Sequence, residues 1–301
     1  MTSNTAETRS ARARRTVTFG IGLLIPVWLR VVVIVIILAA IAIPMMYVVF
    51  GSVNSDLGVA SGQYFPSSFT LTNYVKMWTT VGLAKGMINS IIIAGSTAVV
   101  ATAVATVTAY VLVRFTFLGR VTLLRSLLIV QSIPGTLLVL PIFVVFSSVS
   151  SYIGIQVIGT RWGLFITYLT FALPFATWVM VTYLRGLPIE LEEAARVDGA
   201  SNLRIVRQII VPLSWPGIIV AGIFSFLQGW NDVLFASVMT NSNTQTVSIA
   251  LNIFSSSQSG GSLPLYGQLM AASLTCAAPV VILYLCFQRW LVGGLTAGSV
   301  K

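Results

Sequence analysis

Six stretches of the chain are oily for twenty residues or more, and this limits what it can fold into more than any other feature. They cover approximately 29–50, 88–113, 122–148, 163–184, 213–238 and 268–290. A helix needs about 20 predominantly apolar residues to cross the hydrocarbon core of a bilayer. The runs are continuous rather than alternating, so they predict helices and not the strands of a barrel. Charge is correspondingly scarce: 8% of the residues are charged and 56% hydrophobic, against about 25% charged in soluble domains. The expected fold class is all-α, a polytopic integral membrane protein with six transmembrane helices.

Arg9, Arg12, Arg14 and Arg15 precede the first run, as in the n-region of a secretory signal. The stretch from Val31 to Phe50 is too long for an h-region, and no small-residue cleavage site follows it. The expectation is a retained first span behind a basic cytoplasmic tail. Lys and Arg then set the orientation. With the N-terminus inside, only Lys76, Lys85 and Arg161 of the 17 Lys and Arg residues fall outside. Both termini are therefore expected in the cytoplasm of a multi-pass cell-membrane protein. The net charge of +10 becomes a topology signal that calls for no nucleic-acid partner. The expected organisation is a tail over 1–27, the first span and an external loop over 28–86, and a five-span core over 87–301 with a charged loop at 185–212.

Several chemistries are excluded. Histidine is absent, so no Ser-His triad or histidine metal site exists, and no GxxxxGK[ST] phosphate loop occurs. Cys276 and Cys286 are ten residues apart in the last run. On one helix that is about 15 Å, too far for a disulfide, and both are expected as small apolar core residues.

The charged loop between the fourth and fifth runs reads EEAARVDGASNLRIVRQIIVP, from Glu192 to Pro212. Pro188 suits a first helical turn, and Glu190, Glu192 and Glu193 suit the positive end of the helix dipole. Gly199 is a stop signal, and Ser201 or Asn202 can cap a second helix. Leu203, Val206 and Ile210 are spaced to share one face of that helix, and Pro212 and Pro216 mark the entry to span five. From the residues alone this is a solvated loop, a helix-turn-helix, or a docking element for a cytoplasmic partner. Tethers to two spans a few residues away argue against seating in a DNA groove.

This loop resembles the motif of ABC importer permeases: Glu-Ala-Ala, three residues, Gly, nine residues, Ile, one residue, Leu-Pro. Glu193, Ala194 and Ala195 are followed at that spacing by Gly199, Ile209 and Pro212. Val211 stands where Leu is usual. NSIIIAG (Asn89 to Gly95), AYVLVRFTFLGR (Ala109 to Arg120), GWND (Gly229 to Asp232) and the tail from Phe287 are similar to the smaller permease of maltose-type carbohydrate importers. The resemblance implies half of a transport pathway, paired with a second permease subunit in a heterodimer. It also implies two ATP-binding subunits beneath, which hold ATP and Mg while this chain holds no cofactor, and an extracytoplasmic solute-binding protein above. It marks Glu192, Glu193, Ala194, Ala195, Asp198 and Gly199 as the ATPase-docking residues. The external loop from about Met239 to Gln268 is marked to reach the binding protein, through Ser256, Ser257, Gln258, Ser259, Gly260 and Gly261, in a stretch flexible by composition.

Polar residues inside spans are costly and face protein or water. Gln131 and Ser132, ahead of Pro134, and Trp230, Asn231 and Asp232 late in span five are the candidates for pathway or gating. Asp232 lies twenty residues after Pro212, which on a straight helix is about 30 Å and near the outer mouth. It stays open as a packing or gating residue, a sugar contact or a proton-relay acid. The last would make the chain a stand-alone proton-coupled secondary transporter. An ABC importer of a polyol or glycerol phosphate is a further alternative, although the absence of an Arg deep within spans two to five tilts toward neutral sugars.

Overall fold

The computed structural model describes residues 26–257 and 264–296. The basic tail, Gln258 to Gly261 and Lys301 lie outside these residues. The chain divides into two units, one ending at Val48 and one beginning at Val49. The boundary falls inside α1, Val27–Ser52, whose 26 residues carry one charge, Arg30, and no polar face. A helix of that kind belongs in a core or a membrane.

The second unit then carries α2 (Asp56–Ala60), α3 (Thr72–Thr80), α4 (Leu83–Arg114), α5 (Arg120–Ser132), α6 (Gly135–Ile153) and α7 (Arg161–Arg185). After these come α8 (Glu190–Val197), α9 (Asn202–Leu213, with a π-turn at Val206–Ile210), α10 (Trp215–Asn231), α11 (Leu234–Met239), α12 (Val247–Ser257) and α13 (Tyr266–Thr296). No strand occurs among the described residues. Among the described residues five helices are long and apolar enough to cross a membrane, and a sixth span appears if α9 and α10 are counted together. The chain is an all-α polytopic membrane protein, as the apolar runs predict.

Two runs are less continuous than expected. The third divides at Pro134, which drives Ile133 into extended backbone (φ −77°, ψ 122°) because the ring crowds the residue before it. The 13 residues of α5 rise only about 20 Å, too little to span, so α6 alone is the crossing segment. The fifth run bends by 76° between α9 and α10. Pro216 sits in the first turn of α10 and offers no N–H to the carbonyl of Pro212. The straight 30 Å path from Pro212 to Asp232 therefore does not exist, and Asp232 itself ends α10.

The core of this unit is the α4–α7 pair, with α10 packed on both. Ala101, Ala105 and Ala109 on α4 and Ala172 and Ala176 on α7 are buried. Small side chains at helical spacing let the backbones approach closely, which substitutes for hydrophobic driving force inside lipid. Cys276 is buried as expected, but Cys286 is exposed. It faces away from this chain's core because it lies on the outward side of α13.

Candidate functional site

The charged loop is two helical segments around a glycine turn. Three acids occupy the first turn of α8, where the unpaired N–H groups favour negative charge. The helix ends at Gly199 with φ +79°. The N–H of Ala200 donates to the Ala195 carbonyl (2.9 Å), and that of Gly199 to the Arg196 carbonyl (3.0 Å). This paired closure needs a left-handed residue, and glycine takes that conformation without strain. Ser201 starts the next segment, its Oγ accepting from the Arg204 N–H at 3.4 Å. The expected face through Leu203 is not the buried one. Leu203 is 78% exposed, whereas Ile205 and Ile210 are buried. The π-turn between them adds a residue to the turn and so brings positions five apart onto one side.

The two adjacent glutamates face opposite ways. Glu192 is 1% exposed, and its Oε1 accepts from Arg114 Nε at 2.6 Å. Arg114, the last residue of α4, also donates from Nη2 to the Leu187 carbonyl at 3.1 Å. Arg196 stands 3.8 Å from the second oxygen. Glu192 thus ties α8 to the end of α4 instead of being presented to a partner. Ala195 and Ala200 pack on the buried cluster below. Glu193, Ala194, Asp198 and Gly199 are exposed, beside the bare apolar side chains of Ile189, Leu191 and Val197. A rigid element with an acidic and apolar outer face has the character of a docking surface.

A second site lies where α5, α7 and α10 meet. There a cavity of about 670 Å³ is lined by Gln131, Asn231 and Asp232, brought together from separate runs. Ser132 and Trp230 do not line it. Ser132 Oγ donates to its own helix at the Leu128 carbonyl. Trp230 is buried and stacked on Phe226 at 5.2 Å between ring centroids. Gln228 was missed by sequence reasoning, although it stands three residues before Asn231 and hence on the same face of α10. The Asp232 carboxylate is engaged at both oxygens. It accepts from the N–H of Phe235 (3.3 Å) and Ala236 (2.9 Å), capping α11, and from the Tyr168 hydroxyl (2.9 Å).

At the opposite end of α4 from Arg114, the segment after α11 is clamped in place. Asn89 Nδ2 donates to the Asn243 and Gln245 carbonyls, at 3.2 and 2.9 Å, while its Oδ1 accepts from Arg161 Nε at 2.8 Å. The loop then forms α12, burying Val247, Ile249, Ala250 and Phe254. Ser256 and Ser257 are exposed at its end. As far as Phe254 the external loop is therefore packed structure, and the stretch flexible by composition begins only at the end of α12.

The chain as a whole is similar to known proteins. The family described as binding-protein-dependent transport system inner membrane component matches residues 101–296. The inner membrane ABC transporter permease protein YcjP of Escherichia coli is 36% identical over 239 residues, 78% of this chain and 82% of that protein. The trehalose transport system permease protein SugB of Mycobacterium tuberculosis is 34% identical over 262 residues, 86% and 92% of the two. The maltose/maltodextrin permease protein MalG of Escherichia coli is 31% identical over 278 residues, 88% and 92% of the two. Among solved structures, a bacterial ABC transporter involved in import of the acidic polysaccharide alginate superposes with a TM-score of 0.71. The match covers 87% of this chain and 94% of that one at 19% identity, a likeness of fold.

Proposed function

The chain belongs to the binding-protein-dependent transport system inner membrane components, and from that membership we propose that it is the permease subunit of an ATP-driven carbohydrate importer. The relatives named for trehalose and maltose support the cargo class. The single observation that carries the coupling role is the α8 segment. It is closed by the Gly199 turn, pinned to α4 through Arg114 and Glu192, and bare on its outer face. Motion imposed on that face is transmitted to α4, α7 and α10 because α8 cannot swing independently of them.

In this reading the Arg-rich ends of the spans, including α8, lie in the cytoplasm. One of two ATP-binding subunits, which hold ATP and Mg, seats on Glu193, Ala194, Asp198 and Gly199. Glu192 belongs to the same site as the residue that holds α8 in position. A second permease completes the pathway against the cavity at Gln131, Asn231 and Asp232. The external loop at Ser256, Ser257 and the following Gln258 to Gly261 receives a solute-binding protein. A proton-coupled mechanism centred on Asp232 is disfavoured, since its oxygens already accept three hydrogen bonds that a proton would compete with. The test is a gentle-detergent pull-down of the tagged chain from its host with mass spectrometry. Recovery of an ATP-binding subunit and a second permease is expected. Recovery of the chain alone, under conditions that preserve other complexes, would refute the proposal.

A further inference from the structure

Neither docking nor packing accounts for the wall of the cavity between α5, α7 and α10. Three primary amides, Gln131, Gln228 and Asn231, stand on it. All three are exposed, and none has a hydrogen-bond partner among the described residues. An amide left bare in hydrocarbon costs several kcal/mol, about 4–8 by transfer to an alkane. Three of them on one face make that face a wall against water, ligand or protein, and not against lipid.

The rest of the wall limits what can sit there. Phe175 and Phe224 hold each other edge to face at 5.3 Å between centroids, which fixes their rings in place. No Lys or Arg lines the cavity, and Asp232 has its oxygens committed elsewhere. An anion would find no counter-charge there. Each amide offers two donors and an acceptor, which matches neighbouring hydroxyls that both give and take hydrogen bonds. The negative faces of the aromatic rings suit the weakly positive C–H faces of a pyranose. The volume of about 670 Å³ lies within the range of small-molecule sites.

We propose that this chain itself carries a saccharide subsite, formed by Gln131, Gln228 and Asn231 over Phe175 and Phe224, that selects uncharged over anionic sugars. This rests on the reading of the chain as a carbohydrate importer subunit. The test uses the whole transporter, purified from its host into lipid vesicles with its partners. Uptake is measured with trehalose, maltose and diacetylchitobiose as neutral probes and glycerol 3-phosphate as the anionic comparison. Gln228→Ala and Asn231→Ala should each raise the apparent KM for the neutral sugar that is taken up, by about fivefold, with kcat nearly unchanged, as loss of one hydrogen bond predicts. Gln228→Asn should recover part of the loss. Gln288→Ala, an exposed amide on α13 that does not line the cavity, should behave as wild type.

Neutral-sugar uptake with an unaltered KM in both alanine variants would overturn the subsite and leave the importer reading standing. Loss of the second permease from the purified variants would also overturn it, by making the amides an interface between subunits. Uptake of glycerol 3-phosphate and of none of the neutral probes by the wild type would overturn the subsite together with the carbohydrate reading.

Discussion

Glu192 and Glu193 are neighbours in sequence but differ in surroundings, and their variants should fail differently. Glu192→Ala strands the Arg114 guanidinium, which is 9% exposed, without its counter-charge. Breaking a buried pair on one side costs about 3–5 kcal/mol. Thermal melting of the purified complex should show a marked loss for Glu192→Ala, and the paired change Arg114→Met with Glu192→Met should restore most of it. Glu193→Lys, at an exposed site, should stay within about 0.5 kcal/mol of wild type yet lower transport-coupled ATP hydrolysis. An assay of membrane insertion beside ATPase activity separates the two effects. Gly199→Ala meets no atom within 4 Å, so its cost is conformational alone, about 1–2 kcal/mol for a left-handed backbone. The sequence made Gly199 and its turn legible because a local rule governs them. It could not distinguish Glu192 from Glu193, because the partner that decides, Arg114, is 78 positions away.

Among the elements, the outcome turned on where helices stop. Pro134 and Pro216 were visible as breakers, but their consequences were not. A proline announces a kink without saying whether two helices share one axis afterwards. The π-turn at Val206–Ile210 shifted the buried face from Leu203 to Ile205, and no propensity marks such an insertion. The spacing of Val247, Ala250 and Phe254 did carry a helical signal for α12, obscured by the polar residues around it. Phe254→Ala should cost about 3 kcal/mol, as for a buried aromatic in a core, whereas a mere linker would tolerate the change. Unfolding of the purified complex, followed with and without that change, distinguishes them. Asp232→Asn should keep the cap on α11, since Asn caps nearly as well as Asp. Sugar uptake by this variant should survive and remain insensitive to an uncoupler, and its abolition would bring the proton-relay reading back.

At the level of the whole molecule, six apolar runs and the placement of Lys and Arg predicted the class and the side on which each loop lies. The class is borne out in the helices. The sidedness is tested by labelling single introduced cysteines in a Cys276→Ala, Cys286→Ser background with a membrane-impermeant maleimide. Lys76→Cys, at an exposed position, should react in intact cells, and Arg204→Cys only after permeabilisation. The cavity draws its lining from separate apolar runs, so it became visible only when α5, α7 and α10 were assembled around it. The central claim is that this chain moves solute by force delivered from outside itself through α8. The most direct measurement is uptake of a neutral disaccharide into vesicles holding the complete native transporter, with ATP enclosed or with a proton gradient alone. Uptake that requires ATP at the α8 face and is abolished by Glu193→Lys in an intact complex is the predicted result. Uptake driven by the proton gradient, in vesicles containing only this chain, would contradict the account.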